Sequence, residues 1–303
     1  MSATTSEQQP QAITITCQDG TPLAGHFFTS MAASTARLPV LLAPATGVKQ
    51  QFYFRFAQWL TEQGHCVLVF DYRGIGLSLQ GSLRNCRATL AQWGQQDMPA
   101  AIDWLLARSQ AEQLVIVGNS AGGQMMGLLP NHAKVARVVG ISASSGWFAA
   151  MPLGFRLKAR LGMQVLLPLG IWLKGYGTTA ALGLGENLPA HVAQQWSQWC
   201  AAGGYATNAV RHHPEQDFHA QVRSPITVLY AADDTIAVTA TVKDFLRTLP
   251  NAPQHMLRVQ PQEFGLKNLG HLHWFRATHR TVWPLMHQAI EGQALQIPGP
   301  LTQ

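Results

Sequence analysis

Leu114-Val115-Ile116-Val117-Gly118-Asn119-Ser120-Ala121-Gly122-Gly123 is the stretch that decides the fold. Four β-forming residues run into a serine framed by glycines, G-x-S-x-G at Gly118, Ser120 and Gly122. A small-residue stretch over 122–129, compatible with a short helix, leads out. This context predicts a sharp strand-to-helix turn, in which the glycines let the backbones approach while the serine hydroxyl stays exposed. The bland alternative is a glycine-rich turn carrying an idle serine.

Outward from this turn, the apolar pattern is that of a layered α/β domain. Continuous apolar runs bounded by Gly, Pro or Asp recur at 40–43, 66–70, 114–117, 135–141 and 226–230, as suits strands buried on both faces of a parallel sheet. Two alternating runs, 13–16 and 23–28, flank the turn dipeptide Asp19-Gly20 and predict an antiparallel hairpin at the start. Helical spacing appears over 52–63, with Phe56, Trp59 and Leu60, and over 98–107, with Ile102, Leu105 and Leu106. The alternation predicts a mostly parallel, doubly wound sheet with an antiparallel N-terminal hairpin. It breaks between about 146 and 218, a segment too long for a plain loop. The expected organisation is a core of residues 1–145 and 219–303, with a largely helical cap inserted over 146–218.

Composition removes several classes. The 303 residues are 47% hydrophobic and 12% charged, which argues against extended disorder. The 21 lysines and arginines give a net charge of +6 but are scattered, with no basic run or nucleic-acid motif, so no nucleic-acid partner is expected. Cys17, Cys66, Cys86 and Cys200 have no ligand-type spacing, and neither His212/His213 nor His271/His273 sits in a metal-type pattern. No metal and no cofactor are therefore expected, and the location expected is cytoplasmic. The first ten residues, MSATTSEQQP, lack the basic and apolar regions of a secretory leader. The greasiest stretch, 161–173, contains Pro168 and is short of the ~20 residues a membrane span needs. Arg156, Lys158 and Arg160 beside it leave the cap able to touch a lipid surface transiently.

A serine hydroxyl is a weak nucleophile and needs a base and an orienting acid, which follow the serine in the order acid, then histidine. Between Ser120 and the histidine-rich end lie Glu186, Glu215, Asp217, Asp233, Asp234, Asp244 and Glu263. Only Asp233 and Asp234 directly follow a clear strand, where carboxylates face the ligand edge of a parallel sheet. One of the two is the acid, and the other caps or solvates the turn. A short strand at 256–259 precedes Gly270-His271-Leu272-His273. His271, in a flexible loop position after Gly270, is favoured as the base over His273. A tetrahedral intermediate needs two backbone N–H donors. These fall to Ala121, after the nucleophile, and to Thr46 in the turn Pro44-Ala45-Thr46-Gly47, since Pro44 has no N–H.

These motifs together resemble the α/β-hydrolase superfamily over most of the chain. Gly118-Asn119-Ser120-Ala121-Gly122-Gly123 resembles its nucleophile elbow, and Asp71-Tyr72-Arg73-Gly74-Ile75-Gly76-Leu77-Ser78 its turn after the fourth strand. Ala231-Ala232-Asp233-Asp234-Thr235-Ile236 is similar to its acid turn, where the resemblance implies that the second acid, Asp234, is catalytic. Leu269-Gly270-His271 resembles its histidine loop. The resemblance implies structural roles for Asp71 and Arg73. More narrowly, Ala43-Pro44-Ala45-Thr46-Gly47-Val48 followed by Phe52-Tyr53 resembles a bacterial branch of predicted α/β hydrolases, related to serine-aminopeptidase-like and monoglyceride-lipase-like groups. Pro44-Ala45 stands where the commoner members have His-Gly. The expected activity is hydrolysis of a carboxylic ester or related acyl bond on a small-molecule acyl substrate. Thioesterase, acyltransferase, aminopeptidase or noncatalytic binder are the alternatives. With two acids against five bases between 146 and 216, and with Trp147, Phe148, Phe155, Trp172, Trp196 and Trp199, the cap is expected to wall an apolar pocket that repels an ammonium group.

Overall fold

The computed structural model describes residues 10–30 and 37–297. The N-terminal stretch read above for a leader lies outside the described residues up to Gln9. Among the described residues ten strands occur in chain order: β1 (Gln11–Thr16), β2 (Pro22–Phe28), β3 (Val40–Ala43), β4 (Val67–Phe70), β5 (Leu114–Asn119), β6 (Val135–Ile141), β7 (Tyr176–Gly177), β8 (Leu188–Pro189), β9 (Ile226–Ala231) and β10 (Gln254–Val259). The α-helices are α1 (Phe54–Glu62), α2 (Leu90–Gln92), α3 (Met98–Ser109), α4 (Leu153–Arg160), α5 (Leu167–Lys174), α6 (Ala190–Ala202), α7 (Thr239–Leu246) and α8 (Trp283–Glu291).

Eight strands form one sheet in the order β1-β2-β4-β3-β5-β6-β9-β10. The β1–β2 hairpin is antiparallel, as is its junction with β4, and the remaining pairs are parallel. Gly20, at φ +80°, turns the hairpin where Asp19-Gly20 predicts it. Every residue of β3, β4 and β5 is buried, as continuous apolar runs require of central strands. Their alternation feeds two cores. Val40, Leu42, Val67 and Val69 join Phe56, Leu60 and Trp283 on one face, whereas Leu41, Leu68 and Phe70 join Ile102 and Leu105 on the other. Truncating the fully buried Phe56 to Ala would cost about 3–5 kcal/mol, a large part of a domain's net stability. Gly64, at φ +95°, ends the turn after α1 and returns the chain to β4.

Three features depart from the sequence expectations. The helix predicted over 122–129 is only two 3₁₀ turns, Ser120–Gly123 and Met126–Leu128. Glycine at 122, 123 and 127 lowers helix propensity, and the Gly127 carbonyl is claimed by the amide of Phe218. A Cβ at 127 would also meet the buried His219 ring. Second, α3 is preceded by α2 and a π-turn, Trp93–Asp97, and a matching π-turn, Leu161–Leu166, precedes α5. Each π-turn runs into a helix whose second residue is proline, Pro99 or Pro168, which has no N–H for the regular ladder. Third, the largely helical middle segment also contains the two-stranded hairpin β7–β8.

The turn after β4 is tied from several sides. The Asp71 carboxylate accepts the amides of Gln50 (2.8 Å) and Leu77 (2.9 Å) and the Gln50 side-chain amide (2.9 Å). Arg73 pairs with Asp97 at the start of α3 and with Asp19 in the hairpin turn, both at 2.6 Å. All four cysteines are unpaired. No helix among the described residues is long and apolar enough to cross a membrane.

Candidate active site

The end of β5 delivers Ser120 in a backbone conformation that side chains rarely adopt, φ +48°. The left-handed region costs roughly 1–3 kcal/mol at a non-glycine residue, so the surroundings must enforce it. They do so by close packing. A Cβ on Gly118 would collide with the backbone of Gly122 and Gly123, and one on Gly122 with the carbonyl of Ala43. Glycine at both positions lets β3, β5 and the turn close together.

Ser120 Oγ lies 2.9 Å from His271 Nε2, and His271 Nδ1 lies 2.7 Å from Asp234 Oδ2. A carboxylate only accepts, so Nδ1 carries the proton and Nε2 presents its lone pair to the serine hydroxyl. The other Asp234 oxygen accepts the amides of Ile236 (2.7 Å) and Ala237 (3.0 Å). Burial works against the Asp234 charge, but the His271 ring and these two amides outweigh it and hold the carboxyl below its ordinary value. The acid therefore stays ionised where it faces the ring.

Asp233 has a different role, more than the turn cap expected from the sequence. Its carboxylate accepts the amides of Leu269 and Gly270, each at 3.0 Å, from the loop that carries His271. The Trp274 indole N–H, donated to the Gly270 carbonyl at 3.1 Å, holds the same loop from behind. His273 instead bonds Asn268 Oδ1 at 2.9 Å. The other five carboxylates are engaged elsewhere: Glu186 with Lys49, Glu215 with His213, Asp217 with His219, Asp244 with Arg247, and Glu263 with the amide of Gln260.

Thr46 lines the same cavity as Ser120, and Ala121 is buried directly after it. The amide of Ala45 is donated to the Tyr53 hydroxyl (2.9 Å), which itself donates to Asn119 Oδ1 (3.0 Å) beside Ser120. This relay fixes the loop after β3 against the elbow, and the motifs do not disclose it because its members lie far apart in sequence. From the other side, Gly47 O accepts the amide of Glu186 at 2.7 Å.

The cavity over Ser120 and His271 has a volume of about 540 Å³. Most of its wall comes from the middle segment, and among the described residues no acid lines it and Lys158 is the one lysine or arginine that does. Of the six aromatics expected there, Phe148, Phe155 and Trp196 line it. Trp199 instead packs in the core against Tyr205, Trp147 lies over Gly203, and Trp172 is 80% exposed.

Comparison with known proteins agrees with this architecture. The profile of the alpha/beta hydrolase family matches residues 40–282. The uncharacterized protein YfhR of Escherichia coli is 30% identical over 118 residues, 37% of this chain and 39% of that protein. The chain thus spans about two fifths of the length of the curated relatives it matches. A soluble variant of monoglyceride lipase from Saccharomyces cerevisiae superposes with a TM-score of 0.67 at 16% identity, covering 96% of this chain and 97% of that one. An esterase from Pyrococcus furiosus does so with a TM-score of 0.61 at 13% identity, covering 97% and 96%. Identities this low establish a shared fold. With the family match spanning most of the sequence, the chain belongs to the alpha/beta hydrolase family.

Proposed function

We propose that the protein hydrolyses carboxylic esters of apolar acyl groups, with Ser120 as nucleophile, His271 as general base and Asp234 as the orienting acid. The observation that carries this reading is the continuous contact from Ser120 Oγ through the His271 ring to Asp234, in the wall of an apolar, acid-free cavity. His271 Nε2 takes the hydroxyl proton as Oγ bonds to the ester carbonyl carbon. The negative charge that develops on the carbonyl oxygen is met by the amides of Ala121 and Thr46. Nε2 then returns the proton to the departing alcohol, leaving Ser120 acylated. A water molecule, deprotonated by the same nitrogen, releases the acid and restores the serine.

Residues 146–218 act in this reading as a cap on a core of residues 1–145 and 219–303. An aminopeptidase must pair the α-ammonium of its substrate with a carboxylate near the nucleophile, and the lining has none. Thioesters and acyl transfer use the same residues and remain the alternative chemistry. The four unpaired cysteines support a reducing, cytoplasmic setting. Rates on matched p-nitrophenyl butyrate and octanoate, on acyl thioesters and on aminoacyl p-nitroanilides test the assignment. Efficient esters with poor anilides are expected, and the reverse order overturns it.

A second observation bears on where such substrates are met. From α4 through α5, Leu153, Leu157, Leu161, Val165 and Leu169 form an i, i+4 stripe that is exposed, together with Trp172 and Leu173. Arg156, Lys158, Arg160 and Lys174 accompany them, and no aspartate or glutamate occurs from 146 to 185. An apolar stripe flanked only by bases suits an anionic lipid surface, with the cavity mouth beside it. Co-sedimentation with anionic rather than zwitterionic vesicles is expected, and Leu157→Asp together with Leu161→Asp should abolish it. Equal sedimentation with both vesicle types would remove the charge argument.

A further inference from the structure

We propose that His65, His287 and Glu291 form a binding site for a divalent metal ion of the zinc type, at the edge of the sheet opposite Ser120. His65 lies two residues before β4, whereas Ser120 follows β5, and both strands run parallel to β3 between them. The two positions are therefore at opposite ends of the strands. His287 and Glu291, four residues apart on α8, share a helix face and meet His65 there. The three ligand atoms all lie within 4.8 Å of one another.

The hydrogen bonds fix what these atoms present. His65 Nδ1 faces the carbonyl oxygen of Leu38 at 2.8 Å, and a carbonyl only accepts. The ring proton is therefore on Nδ1, which turns the Nε2 lone pair toward the cluster, the arrangement in which a backbone carbonyl orients a metal-bound imidazole. His287 Nε2 lies 2.9 Å from Arg37 Nη1, and a guanidinium only donates, so that nitrogen also offers a lone pair. The two Nε2 atoms are 3.1 Å apart, and Glu291 Oε1 lies 3.3 Å from His65 Nε2. Three acceptors converge with no donor of their own between them. Ligands about 2.0–2.1 Å from a tetrahedral zinc sit about 3.3 Å from each other, which matches both short separations.

A proton on His65, pairing it with Glu291, is the rival way to satisfy the cluster. The His65 side chain has no solvent exposure, so a charge placed there would be cut off from water. Two imidazoles and one carboxylate suit zinc, cobalt or nickel better than magnesium or calcium, which prefer oxygen ligands. His287 and Glu291 are only half-buried, which gives the ion a path in. Arg37 is exposed and must swing off His287 as the ion enters. The bound ion would fasten α8 to the chain entering β4.

The test uses the full-length protein, stripped with a chelator and titrated with Zn²⁺ by calorimetry, with Co²⁺ absorption as a spectroscopic probe. One Zn²⁺ per chain and a Tm that rises with zinc concentration are expected. His287→Ala and Glu291→Gln should each bind at least about tenfold more weakly, while Arg37→Ala, which removes a competing cation, should bind more tightly. Circular dichroism confirms that each variant is folded, and hydrolysis by the metal-free variants should match that of the metal-free parent. Absence of saturable binding, or parental affinity in both His287→Ala and Glu291→Gln, would overturn the proposal. A metal-free His65 that titrates as an imidazolium against Glu291, with no zinc uptake, would do so in favour of the proton.

Discussion

Asp233 Oδ1 accepts the amide of Gly270 at 3.0 Å, one residue before the histidine that the neighbouring Asp234 orients. Two adjacent carboxylates thus share the placement of one ring, since Asp234 holds the imidazole and Asp233 holds the backbone that delivers it. Asp234→Asn should lower kcat by about 10⁴-fold, because the amide no longer fixes the ring tautomer or stabilises the imidazolium. Asp233→Asn should lower it by only about 10- to 100-fold, through a looser loop whose lost hydrogen bonds are worth roughly 1–3 kcal/mol. Steady-state kinetics on one p-nitrophenyl ester compare the two. The opposite ranking would exchange their roles.

Replacement of either nearby histidine separates base from bystander. His271→Ala should lose several orders of magnitude in kcat, since nothing else reaches Ser120 Oγ among the described residues. His273→Ala breaks a bond to Asn268 and a ring contact with His279, and should stay within about threefold of the parent. A dead His273→Ala with an active His271→Ala would move the base.

The ion pair between hairpin and sheet turn sets an acid limit on stability. Hydrogen bonding from Arg73 is the main cause that lowers the Asp19 carboxyl from 3.8 to about 2. A depressed folded-state value favours the ionised form, so its contribution is complete above pH 3.8 and lost as pH falls toward 2. Asp19→Asn should therefore lower Tm at neutral pH, and the gap to the parent should close over that interval. A gap that stays constant down to pH 2 would mean that the pair contributes nothing through its charge.

Much of this was legible in the sequence because it is local. The strand 40–43 coincides with β3, an unbroken apolar run of the kind that suits a doubly covered sheet, and 135–141 coincides with β6 although Arg137 interrupts its apolar residues. The elbow was legible because Gly118 answers to a close backbone approach within a few residues, from Gly122 and Gly123. What was not legible depends on distant partners. The 122–129 stretch reads as a helix until His219 and Phe218 claim the space and the carbonyl at Gly127. Asp233 reads as a turn cap until Leu269 and Gly270 fold onto it. Aromatic content in the middle segment did not say which rings face the cavity, and Trp172 turned outward. Close spacing of ligand residues does not point to His65, because its partners lie more than 200 residues away.

The central claim is that Ser120 is acylated during turnover. The most direct measurement is intact-protein and peptide mass spectrometry after reaction with a fluorophosphonate, alongside ester hydrolysis by the same preparation. The account predicts one phosphonate per chain on the peptide that carries Ser120, loss of hydrolysis in step with labelling, and neither labelling nor hydrolysis in a folded Ser120→Ala variant. Label on another residue, or undiminished hydrolysis by Ser120→Ala, would contradict it.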